Sequence, residues 1–333
     1  MAKENGPNKS INMVYVQCCV CGSHDAKPVG AGKDFEYLTS PETFTAMRCN
    51  SCGLIYLNPR PDISEFERIY PANYHAFNFS KKEYGLVYKI RSKLEAKRLL
   101  ENCVGLPENA RILDIGCGDG FHLKLLKKYG KKSWALAGID MDKRAVEMAK
   151  KSDLEVYCGN VETINLPPDS YDLALIIQTI EHVEKPDEVL RRINTLLKPG
   201  GKLLIGTDNT GSLDFGFFKR HYWGGYHFPR HWNLFNKNSL SRLAAKTGFE
   251  VEVLETQVSP VNWVYTIHNW LVDIKAWQWL INRFTLKSTV SLSVFTMLDI
   301  ILQQFGRGAL LRAVLRKSVS EKESKISGLI LRQ

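Results

Sequence analysis

Arg111 to Gly120 reads RILDIGCGDG, and this stretch decides the fold. Ile112, Leu113 and Ile115 make a short β-type run that stops at Gly116-Cys117-Gly118-Asp119-Gly120, after which Phe121 to Tyr129 has the apolar spacing of a helix. The unit is a strand, a glycine turn and a helix. Glycines permit backbone conformations closed to other residues and let a ligand approach the N–H groups that open the helix. The turn is therefore expected to cradle a cofactor. A dinucleotide fingerprint would read G-x-G-x-x-G. Here the third glycine comes one residue early, Phe121 occupies its place and Asp114 stands two residues before the first glycine. A purely structural glycine turn and a different nucleotide site are the competing readings.

Outward from the turn the chain alternates regularly. Strands are expected at Trp134 to Asp140, Glu155 to Cys158, Tyr171 to Ile177 and Lys202 to Gly206, with helices at Lys143 to Lys151 and Asp187 to Leu197. Such alternation implies a parallel sheet covered on both faces, with ligand at the carboxyl ends of the strands. Asp140 ends the second strand, where a carboxylate can accept both hydroxyls of a ribose. The bland alternative is that Asp140 caps the following helix, a role it could combine with the first.

Asp114 to Gly120 resembles motif I of class I S-adenosylmethionine (SAM) methyltransferases, D-x-G-x-G-x-G. YDLALIIQTIEHVEKPDEVLRRINTLLKPGGKLLIGT, residues 171–207, resembles the middle of the small-molecule members, with Glu181-His182 after the fourth strand and Pro199-Gly200-Gly201 before the fifth. Residues 207–251 look like a subgroup that carries an N-terminal zinc ribbon and an aromatic segment ending in P-R-H, here Pro229-Arg230-His231. Members of that subgroup are often associated with cell-surface polysaccharide, lipid-linked sugar or secondary-metabolite pathways. The resemblance implies an α/β fold: a Rossmann-like class I methyltransferase sheet with an N-terminal zinc ribbon and a helical C-terminal insertion. It implies SAM as cofactor, held by Asp114, Gly116, Gly118, Gly120 and Asp140, with Met141 along the adenine, Asn160 and Val161 at its edge, and Gln178 near the amino acid part. His231 and His182 are the candidate bases, since an unperturbed imidazole titrates near neutrality. Arg230, His227 and Tyr222 are expected on the acceptor side, Arg230 holding an anion such as a substrate phosphate.

Two departures narrow this. Ubiquinone-pathway O-methyltransferases carry E-x-x-E-H where this chain begins with Gln178, and a neutral amide is a weaker ligand for a hard cation, which argues against an active-site metal. Zinc-ribbon sugar C-methyltransferases carry His-Glu-His where only His231 matches, so C-methylation is not favoured over O-methylation.

Cys18, Cys21, Cys49 and Cys52 form two C-x-x-C-G knuckles, the spacing of a four-thiolate structural zinc site. Cys19 lies within the first knuckle without the two-residue spacer, and Cys103, Cys117 and Cys158 are expected to be ordinary buried thiols. The strand Leu54 to Leu57 stops at Asn58-Pro59-Arg60-Pro61, ending the ribbon. A short helix over Ser64 to Tyr70, an aromatic segment from Tyr70 to His75 and a basic helix over Leu86 to Cys103 follow. The expected divisions are residues 1–60 (ribbon), 61–110 (helical connector), 111–260 (SAM-binding core) and 261–333 (hydrophobic helices, then a strand and a mobile tail after Ser318).

The 333 residues, 44% hydrophobic and 24% charged, fit a soluble globular chain, and the net charge of +10 fits an anionic partner. MAKENGPNKSINMVYVQ contains no apolar signal core, so a cytoplasmic placement is expected. Trp263, Ile267, Trp270, Ile274, Trp277 and Ile281 recur at helical spacing, as do Val290, Val294, Met297, Ile301 and Phe305. These stripes suit internal packing, a homodimer contact, a lid, or peripheral contact with the inner face of a membrane. The expected partner is a small-molecule or glycan acceptor, phosphate- or lipid-bearing. A zinc-ribbon RNA methyltransferase is the alternative enzyme, disfavoured because the fourth strand ends IIQT rather than in an N-P-P-Y clamp. A non-catalytic SAM-binding protein is the alternative outside catalysis.

Overall fold

The structure is a computed structural model that describes residues 10–71, 74 and 81–318. Its centre is a seven-stranded sheet of β1 (Arg111–Ile115), β2 (Ala135–Asp140), β3 (Glu155–Cys158), β4 (Tyr171–Ile177), β5 (Leu197–Asp208), β6 (Phe249–Gln257) and β7 (Leu310–Lys317). The spatial order is β6-β7-β5-β4-β1-β2-β3. The β3-β2-β1-β4-β5 pairs are parallel, and β7 runs antiparallel to both β5 and β6. This is the Rossmann-like sheet expected from the alternation, and the returning strand near the C-terminus is β7. The order reverses between β1 and β4. A ligand crevice belongs outside their carboxyl ends, where the glycine turn and residues 178–182 lie.

Local chemistry accounts for the elements. In β4, YDLALII keeps its first six residues buried, as a central strand covered on both faces requires. The helix α1 (Lys81–Asn102) is broken at Gly85, whose φ is 48°. Next come α2 (Phe121–Tyr129), α3 (Lys143–Lys150) and α4 (Pro186–Leu196). Pro186 opens α4 with Asp187 and Glu188 in its first turn, and Val189, Leu190, Ile193 and Leu196 form its buried stripe. Each such fully buried side chain contributes roughly 1.5–3 kcal/mol. The Pro199-Gly200-Gly201 turn lies inside β5: Leu197 pairs with Tyr171 and Lys202 with Leu173, so the turn loops out of the ladder.

A second sheet joins Ala26–Gly32, Phe44–Cys49 and Ile55–Leu57 as antiparallel strands, and its edge is completed by Asn233–Leu234 from beyond β5. The cysteine-bearing segment thus shares a sheet with the chain around His231. The expected helix at Ser64 to Tyr70 is a 3-10 turn, Ile63–Glu65, running into Phe66–Ile69. Tyr70 and Tyr74 are buried. His75 and the tail after Ser318 lie outside the described residues.

After α5 (Lys237–Lys246) and β6, an insertion holds α6 (Val261–Asp273), α7 (Gln278–Ile281) and α8 (Thr289–Gln304) before β7. The stripe from Trp263 to Ile281 is not one helix as its spacing suggests. The chain turns at Lys275, φ 53°, so Trp263 is buried against Phe295 while Trp277 is 75% exposed. Among the described residues no helix is long and apolar enough to cross a membrane.

Candidate functional site

The glycine turn caps β1 with three left-handed residues, Gly116 (φ 71°), Gly118 (φ 55°) and Gly120 (φ 82°). Gly116 and Gly120 are tightly enclosed: a Cβ there would lie 2.3 Å from Thr179 and 2.4 Å from Leu154. A Cβ on Gly118 would meet nothing within 4 Å, so open space lies above the middle of the turn, as a cradle requires. Beside it, Asp140 Oδ2 accepts from Gly118 N at 2.8 Å and Oδ1 from Asp142 N at 2.8 Å. Each oxygen keeps a lone pair for an incoming hydroxyl. Burial raises the Asp140 pKa against the opposing pull of those two N–H groups. The helix cap is Asp142, not Asp140: its Oδ1 accepts from Arg144 N at 2.8 Å and Ala145 N at 3.4 Å.

Asp114, 1% exposed, leaves Oδ2 without a hydrogen-bond partner, with His122 Nδ1 3.6 Å away. A buried orphaned carboxylate oxygen under an open turn fits a ligand that brings a positive charge or a donor. Met141 and Asn160 are exposed where β2 and β3 end, and Gln178 is exposed just past β4. Gln178 holds φ at 52°, an unfavourable conformation for a side-chain-bearing residue and one often kept at binding sites. Val161 differs from its expected place: it is 3% exposed and packed in the main core, so its side chain cannot line an adenine edge.

Beyond β4 and β5 three histidine rings meet. His182 lies 4.5 Å from His231 between centroids, and His227 lies 4.9 Å from His231. His231 Nδ1 is 2.8 Å from the Gly225 carbonyl and 3.3 Å from Asp208 Oδ2. Both partners accept, so Nδ1 carries the hydrogen and Nε2 keeps the lone pair when the ring is neutral. His227 Nδ1 faces Glu36 Oε2 at 2.9 Å, and His182 Nδ1 faces Tyr70 Oη at 2.8 Å and the Arg230 carbonyl at 3.2 Å. Burial holds all three rings neutral, pushing His182 and His227 down to about 3 and His231 well below the usual range. The carboxylates move the other way: burial, with Asp208 nearby, pushes Glu181 up to about 8, and burial pushes Asp208 up to about 7 although Asn262 donates to it. Glu181 Oε2 accepts from Thr207 at 2.8 Å, and Oε1 has no hydrogen-bond partner. Ligand atoms of Glu181, His182 and His231 lie within 4.8 Å of one another.

Arg230 corrects an expectation. It is 0% exposed and forked on Asp34 at 2.8 and 3.2 Å, while its remaining donors reach Ile69 O, Phe228 O and Thr39 Oγ1. All five N–H groups are taken, so no donor is left for a substrate phosphate. Tyr222 donates to Asp273 at 2.7 Å on the outer side of the same loop. Asp34, Glu36, Asp208 and Asn262 were not legible beforehand. Only Asp208, ending the apolar strand Leu203 to Thr207, carried any local signal. Asp34 lies 196 residues from Arg230.

The four knuckle cysteines converge as their spacing requires. Their sulfurs lie within 4.8 Å of one another, with Cys18 to Cys52 at 3.4 Å and Cys21 to Cys49 at 3.5 Å. A tetrahedral zinc with bonds of about 2.3 Å would hold sulfurs about 3.8 Å apart, so this donor set fits such an ion. Gly22 and Gly53 follow the knuckles at φ 74° and 78°. Cys19 turns away and donates to Asn233 Oδ1 at 3.4 Å.

A methyltransferase-domain family matches residues 88–254. The chain is similar to the ubiquinone biosynthesis O-methyltransferase of Aeromonas salmonicida, 37% identical over 106 residues that cover 30% of this chain and 43% of the relative. It is 29% identical over 104 residues to the protein of the same name from Coxiella burnetii, covering 29% of this chain and 43% of that one. The chain thus spans less than half the length of these curated relatives. Among solved structures, Haemonchus contortus phosphoethanolamine N-methyltransferase 2, in complex with S-adenosyl-L-methionine, superposes with a TM-score of 0.52 at 16% identity, covering 88% of this chain and 68% of that one.

Proposed function

The chain belongs to the methyltransferase-domain family, and from that premise we propose that it transfers a methyl group from SAM to a hydroxyl of a small acceptor, a sugar, lipid-linked glycan or secondary metabolite. The observation that carries this reading is His231. Its Nδ1–H is held by Gly225 O and backed by Asp208, which leaves Nε2 as the proton acceptor of a ring packed against His182 and His227. SAM, when bound, supplies an electrophilic methyl on a sulfonium sulfur. Gly118 would give its nucleoside room, Asp140 would accept from the ribose hydroxyls, and the orphaned Oδ2 of Asp114 suits the ammonium end. His231 Nε2 would take the hydroxyl proton; burial makes the ring a weak base at rest, and Asp208, once ionised, would stabilise the imidazolium that forms. Glu36, facing His227, and Glu181, beside His182, are the polar groups of this cluster that would hydrogen-bond a polyhydroxylated acceptor. A phosphate on the acceptor must be held by groups other than Arg230.

We also read the four-cysteine cluster as one structural zinc, closed by four protein ligands.

Calorimetry and turnover against a panel of polyhydroxylated acceptors test this together. Asp140→Ala should weaken SAM binding by an order of magnitude or more, as expected for losing hydrogen bonds to a charged group worth about 1.5–3 kcal/mol. His231→Ala should lower kcat roughly 10²–10⁴-fold with SAM affinity unchanged. Near-normal turnover in His231→Ala together with a dead His182→Ala moves the base to His182.

A further inference from the structure

We propose that the outer face of α7 and α8 docks the protein on a bilayer surface rich in anionic lipid. The sequence stripe resolves into two parts with different jobs. The first part, α6, is internal: Asn262 donates to Asp208 at 2.7 Å, Thr266 Oγ1 accepts from Gly224 N at 2.8 Å, and Trp263 stacks on Phe295. The second part points outward. Trp277 is 75% exposed, Trp279 58%, Met297 70% and Phe305 76%, with Val294 and Ile301 exposed on the same line of α8. Exposed tryptophans on α7 and a line of exposed apolar residues along α8 mark this part of the insertion as an interaction surface.

The occupant follows from charge. Between residues 274 and 310 the sequence holds Lys275, Arg283, Lys287 and Arg307, all exposed, and one acid, Asp299. Asp299 is 0% exposed, and its Oδ2 accepts from Ser259 N at 2.7 Å and Ala309 N at 3.2 Å, which ties α8 to the ends of β6 and β7. Asp299 is spent inside, and Asp273, one residue before the segment, is exposed and accepts from Tyr222, so the solvent face is apolar and carries four exposed cations against one exposed acid. A two-fold contact with a second copy would set this positive face against itself. An anionic headgroup layer complements it, with tryptophans at headgroup depth, aliphatic residues below them and lysine and arginine stems reaching back to phosphate. α8 has 16 residues, about 24 Å of helix, and packs on α6 along its other side, so the geometry is that of a helix resting in the interface. Because α6 of the same insertion donates from Asn262 to Asp208, the residue that backs His231, docking here would bring that site close to the lipid surface, where a lipid-linked acceptor would be presented.

Flotation of the full chain with vesicles of phosphatidylcholine and phosphatidylglycerol in equal parts, against phosphatidylcholine alone, tests this. The wild type should float with the anionic vesicles only and detach as salt is raised. Lys275→Glu with Arg283→Glu should weaken binding by more than about tenfold, and Trp277→Ala with Trp279→Ala should abolish both flotation and quenching of tryptophan fluorescence by brominated lipid. These four side chains are exposed, so circular dichroism and Tm should be unchanged in both variants. A wild type that ignores anionic vesicles, variants that bind as well as wild type, or a concentration-dependent dimer in sedimentation that the tryptophan substitutions dissolve would each overturn the proposal.

Discussion

Arg230 and Glu181 illustrate how burial redefines a residue's chemistry. Read in sequence, Arg230 is a cation beside a candidate base. In the fold it is a wholly enclosed ion pair with Asp34, stacked at 4.5 Å on Tyr37. Arg230→Met therefore strands the Asp34 carboxylate in the core, and unfolding experiments should register a loss of about 3–5 kcal/mol. A variant that keeps wild-type stability while KM for the acceptor rises would return Arg230 to substrate binding. Glu181 makes a pH prediction. Its folded pKa is raised from 4.5 to about 8, so between those values the folded chain holds a proton that the unfolded chain releases. Stability from this group is complete below the unfolded pKa and is lost as pH rises through about 8. Glu181→Gln should accordingly raise Tm relative to wild type at pH above about 8 and matter less near pH 5. An equal shift at both ends would mean that Glu181 is not protonated in the native state.

At the scale of elements, the glycine turn separates packing from binding. Gly116 and Gly120 are filled around by Thr179 and Leu154, whereas the space over Gly118 is open. Gly118→Ala should cost only the left-handed backbone penalty, about 1–2 kcal/mol, yet sharply reduce SAM affinity. Gly120→Ala adds a clash with Leu154 and should cost more stability. Denaturant midpoints and titration calorimetry on the pair distinguish the roles, and equal stability losses with equal affinities would remove the cradle assignment. The insertion makes a similar division: α6 supports the site through Asn262 and Thr266, while α7 and α8 present the outer face.

For the molecule as a whole, the cysteine cluster and the histidine cluster are mechanically joined. Asn233–Leu234, two residues past His231, is a strand of the sheet that carries the knuckles, and Asn238 donates to the Cys52 carbonyl while Lys246 donates to that of Cys19. Arg60 lies 4.3 Å over Trp232 and pairs with Glu184. Metal analysis of the purified chain should find one zinc per chain, and a strong chelator or Cys49→Ser should lower Tm and turnover together. A metal-free chain with full stability and activity would dismiss the zinc.

The β-strands, the glycine turn, the capped helices and the paired knuckles were legible in the amino-acid order because each depends on residues within a few positions of one another. Alternating apolar runs and helical stripes dictate a doubly wound sheet, and the sheet's reversal between β1 and β4 places the crevice. What surrounds His231 was not legible, because those contacts are long-range. Asp34 and Glu36, Asp208, and Asn262 come from three separate segments, and what each side chain does depends on which charges and how much water the fold leaves beside it. Local spacing could not say that Arg230 is consumed by Asp34, that Val161 faces the core, or that the tryptophan stripe breaks at Lys275 and sends Trp263 inward and Trp277 out. Those outcomes were decided by burial, a property of the folded chain and not of any stretch of it.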